Sequence, residues 1–138
     1  MTESNWLRSV GGDESDAPFW QGCRDGVFRL HRCERCGRCY WPASCCVEHG
    51  SQNMAWFDAS GRGTLYTYTV MHHAYTPTMK DKVPYVVGVV QLQEGPFFHS
   101  NVIDCPLAEI RIDMPVQVTM QAQADGLVLP MFKPRVIP

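Results

Sequence analysis

The sequence contains no apolar run near the ~18–20 residues that a membrane span requires. Its opening stretch, MTESNWLRSVGGDESD, has no apolar signal core. Membrane and secreted readings are set aside on these grounds, and a cytoplasmic location is expected. Strong charge of either sign is also missing. Twelve Lys+Arg against 14 Asp+Glu leave a net charge of -2, which argues against holding nucleic acid by bulk electrostatics. There is no internal repeat and no low-complexity tract. Equally absent are the G-x-S-x-G elbow, the H-E-x-x-H helix and a glycine loop that cradles phosphate. With 45% hydrophobic and 19% charged residues, the 138-residue chain has the composition of a folded protein and the length of one domain plus a small module.

Cysteine is what the chain has in excess. Five of its seven cysteines, Cys33, Cys36, Cys39, Cys45 and Cys46, fall within 14 residues. A secreted disulfide scaffold spreads an even set along the chain, so an odd and crowded set points to a metal in a reducing compartment.

Residues 1–15 are polar and rich in Gly, Ser and Asp, as expected of a flexible leader. Asp16 offers an N-cap, Pro18 suits a first turn, and Gly26 suits a C-cap, so a short helix is predicted over 17–25, resting on Phe19 and Trp20. Val27–Arg32 predicts a strand leading into the cysteine cluster, which runs from Cys33 to Gly50 and is followed by a short polar bridge. Beyond Ser60-Gly61-Arg62-Gly63 the chain turns to β-branched and aromatic residues. Strands are predicted over Thr64–Met71, Pro84–Leu92 and 97–103, with a bend or bulge at Gly88. Val116–Ala122 pairs with Leu127–Phe132 across Asp125-Gly126 as a hairpin. Strands of this number and length, with few helical patterns, predict a small β-barrel. The prolines of Leu129–Pro134 oppose a regular central strand there.

Cys33-Glu34-Arg35-Cys36-Gly37 is a C-x-x-C-G knuckle, in which backbone N–H groups point at the thiolates and the glycine permits tight curvature. Cys46-Val47-Glu48-His49-Gly50 repeats the spacing with His in the second position. The ligand set chosen for one tetrahedral Zn2+ per chain is Cys33, Cys36, Cys46 and His49, with Cys39 and Cys45 as alternatives for the third or fourth place. Cys33, Cys36 and Cys39 also begin an iron–sulfur pattern, but position 43 is Ala43 and the fourth cysteine is missing. A thioredoxin-like redox pair would need a βαβ setting, and five cysteines in so short a stretch are not explained by packing alone. Four protein ligands leave no position for water or substrate, so the ion is expected to be structural and not catalytic.

The order of motifs resembles one family. PFWQG, then LHRCERCG, a proline before a second metal pair, SGRGTLYTYTV, PYVVGVVQL and a closing PMFKP are similar to the acyl-CoA-associated zinc-ribbon/OB-fold family, long described only as a domain of unknown function found beside thiolases. The resemblance spans roughly residues 17–134; the family commonly has four cysteines, and His49 stands where the fourth would fall. It implies a mainly β fold: a short N-terminal helix, a rubredoxin-like zinc ribbon and a five-stranded OB-fold barrel. The expected division is a leader over 1–15, helix and ribbon over 16–58, and the OB-fold over 59–138. Family members are small subunits that partner thiolase-fold enzymes, and sometimes hydratases, acting on acyl-CoA esters. The resemblance therefore implies a non-catalytic accessory subunit in a hetero-oligomer, a heterotetramer being expected, that helps shape or cover the partner's acyl-CoA site.

The residues agree with a non-catalytic part. His72-His73 at a strand end reads as exposed loop, and Asp104 and Glu109 lie on a connection without a nucleophile or orienting group. Arg24, Arg29, Arg32, Arg35 and Arg38 crowd the ribbon, and Arg62 stands in the SGRG loop. Guanidinium groups suit phosphates, so Arg32, Arg35, Arg38 and Arg62 are candidate contacts to the phosphates of coenzyme A or to a partner. Residues 74–83 suit a protruding loop, with Met71, Tyr75 and Met79 as an apolar contact surface. Two other classes are weighed: a single-stranded nucleic-acid module using Tyr66, Tyr68 and Tyr75 as stacking surfaces, and a stand-alone acyl-CoA-binding protein.

Overall fold

The computed structural model describes residues 14–124 and 126–137; the leader expected over 1–15 lies outside them except for its last two residues, and so does the turn residue Asp125. Helix α1 covers Ala17–Asp25, as the capping pattern predicts. Its C-terminus closes on Gly26, whose φ of 78° is left-handed, and the N–H of Val27 reaches back to the Gly22 carbonyl at 2.7 Å. The N-terminus differs from expectation. Asp16 makes no side-chain cap, because it ends a one-turn 3-10 helix over Glu14–Asp16 and has helical backbone angles (φ -93°, ψ -6°) instead of the extended ones a cap needs. Phe19 and Cys23 are buried, and the Phe19 ring lies 3.9 Å from Trp41 and 6.2 Å from Phe28 between centroids.

Strand β1, Arg29–Cys33, is the centre of a three-stranded antiparallel sheet between β2, Cys39–Tyr40, and β3, Met54–Asp58. The bridge expected after the cysteine cluster is therefore a strand in its second half. Its register with β1 runs from Arg29↔Asp58 to Cys33↔Met54. The pairing is consolidated by side chains: Trp56 stacks over His31 at 3.7 Å, and the Arg32 guanidinium sits 4.6 Å over the Phe57 ring.

Five strands close a barrel: β4 (Arg62–Met71), β5 (Tyr85–Leu92), β6 (Phe97–Val102), β7 (Pro115–Ala122) and β8 (Val128–Pro134), in the order β4-β5-β6-β8-β7. This is an OB-fold, as expected. Leu65, Val90, Val116 and Phe132 are fully buried in it. The bulge sits at Tyr66 in β4, where Leu65↔Val90 is followed at once by Thr67↔Val89. It is not at Gly88, which instead makes room for a neighbour: a Cβ there would stand 2.8 Å from Leu65 Cδ1.

The proline-flanked C-terminal segment is also a regular barrel strand. Pro130 and Phe132 point to one buried face, and Phe132 pairs in parallel with Val102, with the Ile103 N–H donating to the Phe132 carbonyl at 2.8 Å. Phe132, not proline, supplies the carbonyl that this pairing uses. The described residues fall into two compact units, one extending to Ser60 and including Thr119–Pro130, the other Gly61–Val118 with the residues from Met131 onward. No helix among the described residues is long and apolar enough to cross a membrane.

Candidate metal centre

Strand β1 delivers Cys33 into the turn that leads to β2. The Cys33 N–H donates to the Arg38 carbonyl at 2.9 Å and the Gly37 N–H to the Cys33 carbonyl at 2.7 Å. Gly37 takes φ 78°, a left-handed angle that closes the turn just behind Cys36. The second knuckle is built alike: Cys46 and Gly50 exchange both backbone hydrogen bonds, at 2.9 and 3.0 Å, and Gly50 has φ 66°. One ligand atom from each of Cys33, Cys36, Cys46 and His49 then lies within 4.8 Å of all the others.

Three of the edges of this figure are resolved. His49 Nδ1 is 3.6 Å from both Cys33 Sγ and Cys46 Sγ, and Cys36 Sγ is 3.7 Å from Cys46 Sγ. Tetrahedral zinc, with Zn–S near 2.3 Å and Zn–N near 2.05 Å, requires edges of about 3.6 Å for sulfur–nitrogen and about 3.8 Å for sulfur–sulfur. The observed separations fit that figure. They are far too long for a disulfide, whose S–S bond is about 2.05 Å. This Cys3His group can hold a metal ion.

The electrostatics agree. The Tyr40 hydroxyl, donating to Cys46 Sγ at 3.4 Å, and then the Glu48 and His49 backbone N–H groups outweigh burial and bring the Cys46 thiol down to about 6. At Cys36 the Arg38 backbone N–H favours the thiolate, but burial together with the Cys33 and Cys46 sulfurs prevails and pushes the thiol up. Sulfurs this close resist carrying charge together, and a bound dication removes that conflict. Four protein ligands would fill the coordination sphere, giving a structural ion.

The other cysteines point elsewhere. Cys39 Sγ is directed at the Gly37 carbonyl and Cys45 Sγ at the Cys46 carbonyl, both at 3.6 Å. Cys23 lies on the buried face of α1, and that burial pushes its thiol up to about 12. Of the candidate arginines, Arg32 is engaged with Phe57, and Arg35 and Arg38 are exposed. Arg62 lines a shallow hollow of about 340 Å3 with Gly63, Gln91, Gly95 and Arg135. His72 and His73 are exposed at the end of β4, and His73 meets only the edge of Tyr75 among the ring contacts described. Sequence reasoning missed Tyr40 and Arg135. Neither belongs to a spaced motif, and Tyr40 reaches Cys46 only because β2 folds back on β1.

Residues 56–121 match the family model of the ChsH2 C-terminal OB-fold domain. The chain is 32% identical over 132 residues to a probable enoyl-CoA hydratase alpha subunit of Thermomonospora curvata; this covers 94% of the chain but 41% of that subunit's length. It is 31% identical over 98 residues to a DUF35 domain-containing scaffold protein of Methanocaldococcus jannaschii, covering 69% of each. Among solved structures it superposes on a chain of the Ltp2-ChsH2(DUF35) aldolase with a TM-score of 0.79 and 30% identity, covering 90% of this chain and 97% of that one. With two knuckles converging on one point, an OB-fold barrel behind them in sequence and these relatives along most of its length, the chain belongs to the DUF35 family.

Proposed function

We propose that this chain is a non-catalytic accessory subunit that binds a thiolase-fold enzyme and helps shape or cover its acyl-CoA site. The observation that carries this reading is the match over 97% of the length of the chain in the Ltp2-ChsH2(DUF35) aldolase. Similarity to an enoyl-CoA hydratase alpha subunit supports acyl-CoA as the substrate class of the assembly. In this reading residues 16–58 are a zinc ribbon and 59–138 the OB-fold module, and the subunit works in the cytoplasm, where thiolates stay reduced.

Cys33, Cys36, Cys46 and His49 hold one Zn2+, which supplies no chemistry beyond locking the two knuckles together. The exposed guanidiniums of Arg35 and Arg38, with Arg32 and Arg62, face coenzyme A phosphates or the partner's surface. The assembly is a heterotetramer. Co-expression with a thiolase-fold enzyme of the same organism, followed by size exclusion and an acyl-CoA assay, tests the reading. Co-migration together with an activity that depends on this chain is expected. Separate migration, with full activity of the enzyme alone, would overturn it.

A further inference from the structure

We propose that Tyr40 is a positioning residue of the metal centre, its hydroxyl fixing the direction of the Cys46 sulfur. This rests on the reading of the Cys3His group as a zinc site. Strand β2 is only two residues long, and Tyr40 is placed by its pairing with His31 of β1. Its hydroxyl accepts the Val47 N–H at 3.1 Å and lies 3.4 Å from Cys46 Sγ. The Val47 N–H supplies its own hydrogen to the oxygen, so the phenolic hydrogen is left to go to the sulfur. Arg38, another donor and never an acceptor, also lies beside this hydroxyl. Sulfur is thus the acceptor that the surroundings leave to the phenol.

The two hydrogen bonds act on adjacent residues. Cys46 supplies the sulfur, and Val47 is the next residue in the chain, so one phenol holds a ligand and the backbone just beyond it. That matters because the second knuckle lies in a stretch between β2 and β3 whose only ladder contact among the described residues is the Cys46–Gly50 bridge. Tyr40 ties this knuckle to the hairpin that carries Cys33 and Cys36. A hydrogen bond donated to a metal thiolate also draws electron density from the sulfur, which shows in the ligand-to-metal charge-transfer spectrum.

The test uses the full chain and its Tyr40→Phe variant, which keeps the ring and removes only the hydroxyl. Both are loaded with zinc, and release to a chromogenic chelator is timed. Both are then loaded with Co2+ and the sulfur-to-cobalt band is recorded. We expect roughly tenfold or faster zinc release from Y40F, in line with the 10–100-fold effects of outer-shell partners, and a displaced charge-transfer band. Equal release rates with superimposable cobalt spectra would overturn the role of Tyr40 while leaving the zinc site intact. A wild-type chain that retains no zinc would overturn the metal reading itself. Should Y40F fail to fold, wild-type protein loaded with 113Cd decides the matter: coupling between cadmium and the Tyr40 hydroxyl proton is expected, and its absence in a spectrum that shows that proton would overturn the proposal.

Discussion

Replacing Phe132 by alanine tests whether the C-terminal strand closes the barrel. The side chain is 0% exposed, its ring centroid is 6.1 Å from that of Phe98, and its carbonyl accepts the Ile103 N–H. Truncating a fully buried Phe to Ala in a packed core costs about 3–5 kcal/mol, the lost transfer energy being joined by the cavity left behind. The Phe98 separation lies within the range where aromatic pairs add about 0.5–1.5 kcal/mol, which keeps the expected loss off the low end of that span. A domain is stable by about 5–15 kcal/mol, so a loss of ~4 kcal/mol removes a large fraction. For a chain of this size each kcal/mol moves Tm by roughly 4 °C, so calorimetry should show a fall of roughly 15 °C. Val136→Ala is the control: this side chain is 88% exposed, and its loss should stay within about 0.5 kcal/mol. A Phe132→Ala protein melting within about 5 °C of wild type would show that the segment lies on the barrel without closing it.

Cys33→Ser should abolish stoichiometric zinc and melt the three-stranded sheet, since structural zinc contributes about 10–16 kcal/mol in small zinc modules; elemental analysis and Trp56 fluorescence report the two events, and retained zinc would contradict the ligand set. Gly63→Ala should cost about 1–3 kcal/mol by overpacking, because its Cβ would stand 2.5 Å from the Gln91 carbonyl oxygen and 2.6 Å from Val90 Cγ1; an unmoved denaturation midpoint would refute the contact. Cys23 should resist alkylation in the native protein until unfolding exposes it, its thiol being buried and held near 12. The unfolded thiol ionises near 9.0 and the folded one near 12, so the contribution is complete below pH 9 and is lost as pH rises from there towards 12. Cys23→Ala should flatten that alkaline slope, and an unchanged slope would assign it elsewhere.

The parts legible in the sequence are those whose cause is local. The knuckle spacings at Cys33/Cys36 and Cys46/His49 bring four ligand atoms together because each pair needs only one tight turn, with Gly37 or Gly50 behind it. Helix α1 follows from Pro18 in its first turn and Gly26 at its C-terminus, and the strands β4 to β7 from runs of β-branched and aromatic side chains. What was not legible depends on distant partners. Met54–Asp58 has too little alternation to announce a strand, and it becomes one because β1 offers an edge for His31 to meet Trp56. The prolines of β8 opposed a central strand, yet the pairing with β6 uses the Phe132 carbonyl, which proline neighbours do not remove. The Asp16 cap failed because the preceding turn had already set its backbone. Tyr40 carries no motif at all, and its relation to Cys46 exists only in three dimensions.

The extra residue in β4 inverts the phase of its strand. Ahead of Tyr66 the odd-numbered Gly63 and Leu65 turn inward, and beyond it the even-numbered Tyr68 and Val70 are the more covered, with Thr67 and Thr69 outside. Tyr66 itself is 55% exposed, so its identity matters little to the barrel interior, but its presence matters a great deal. Excising that one position would leave Leu65 inside and Thr67 and Thr69 outside in unbroken alternation, so what the extra residue supplies is the bend and added local twist of a bulge, the curvature a strand needs to wrap into a closed barrel.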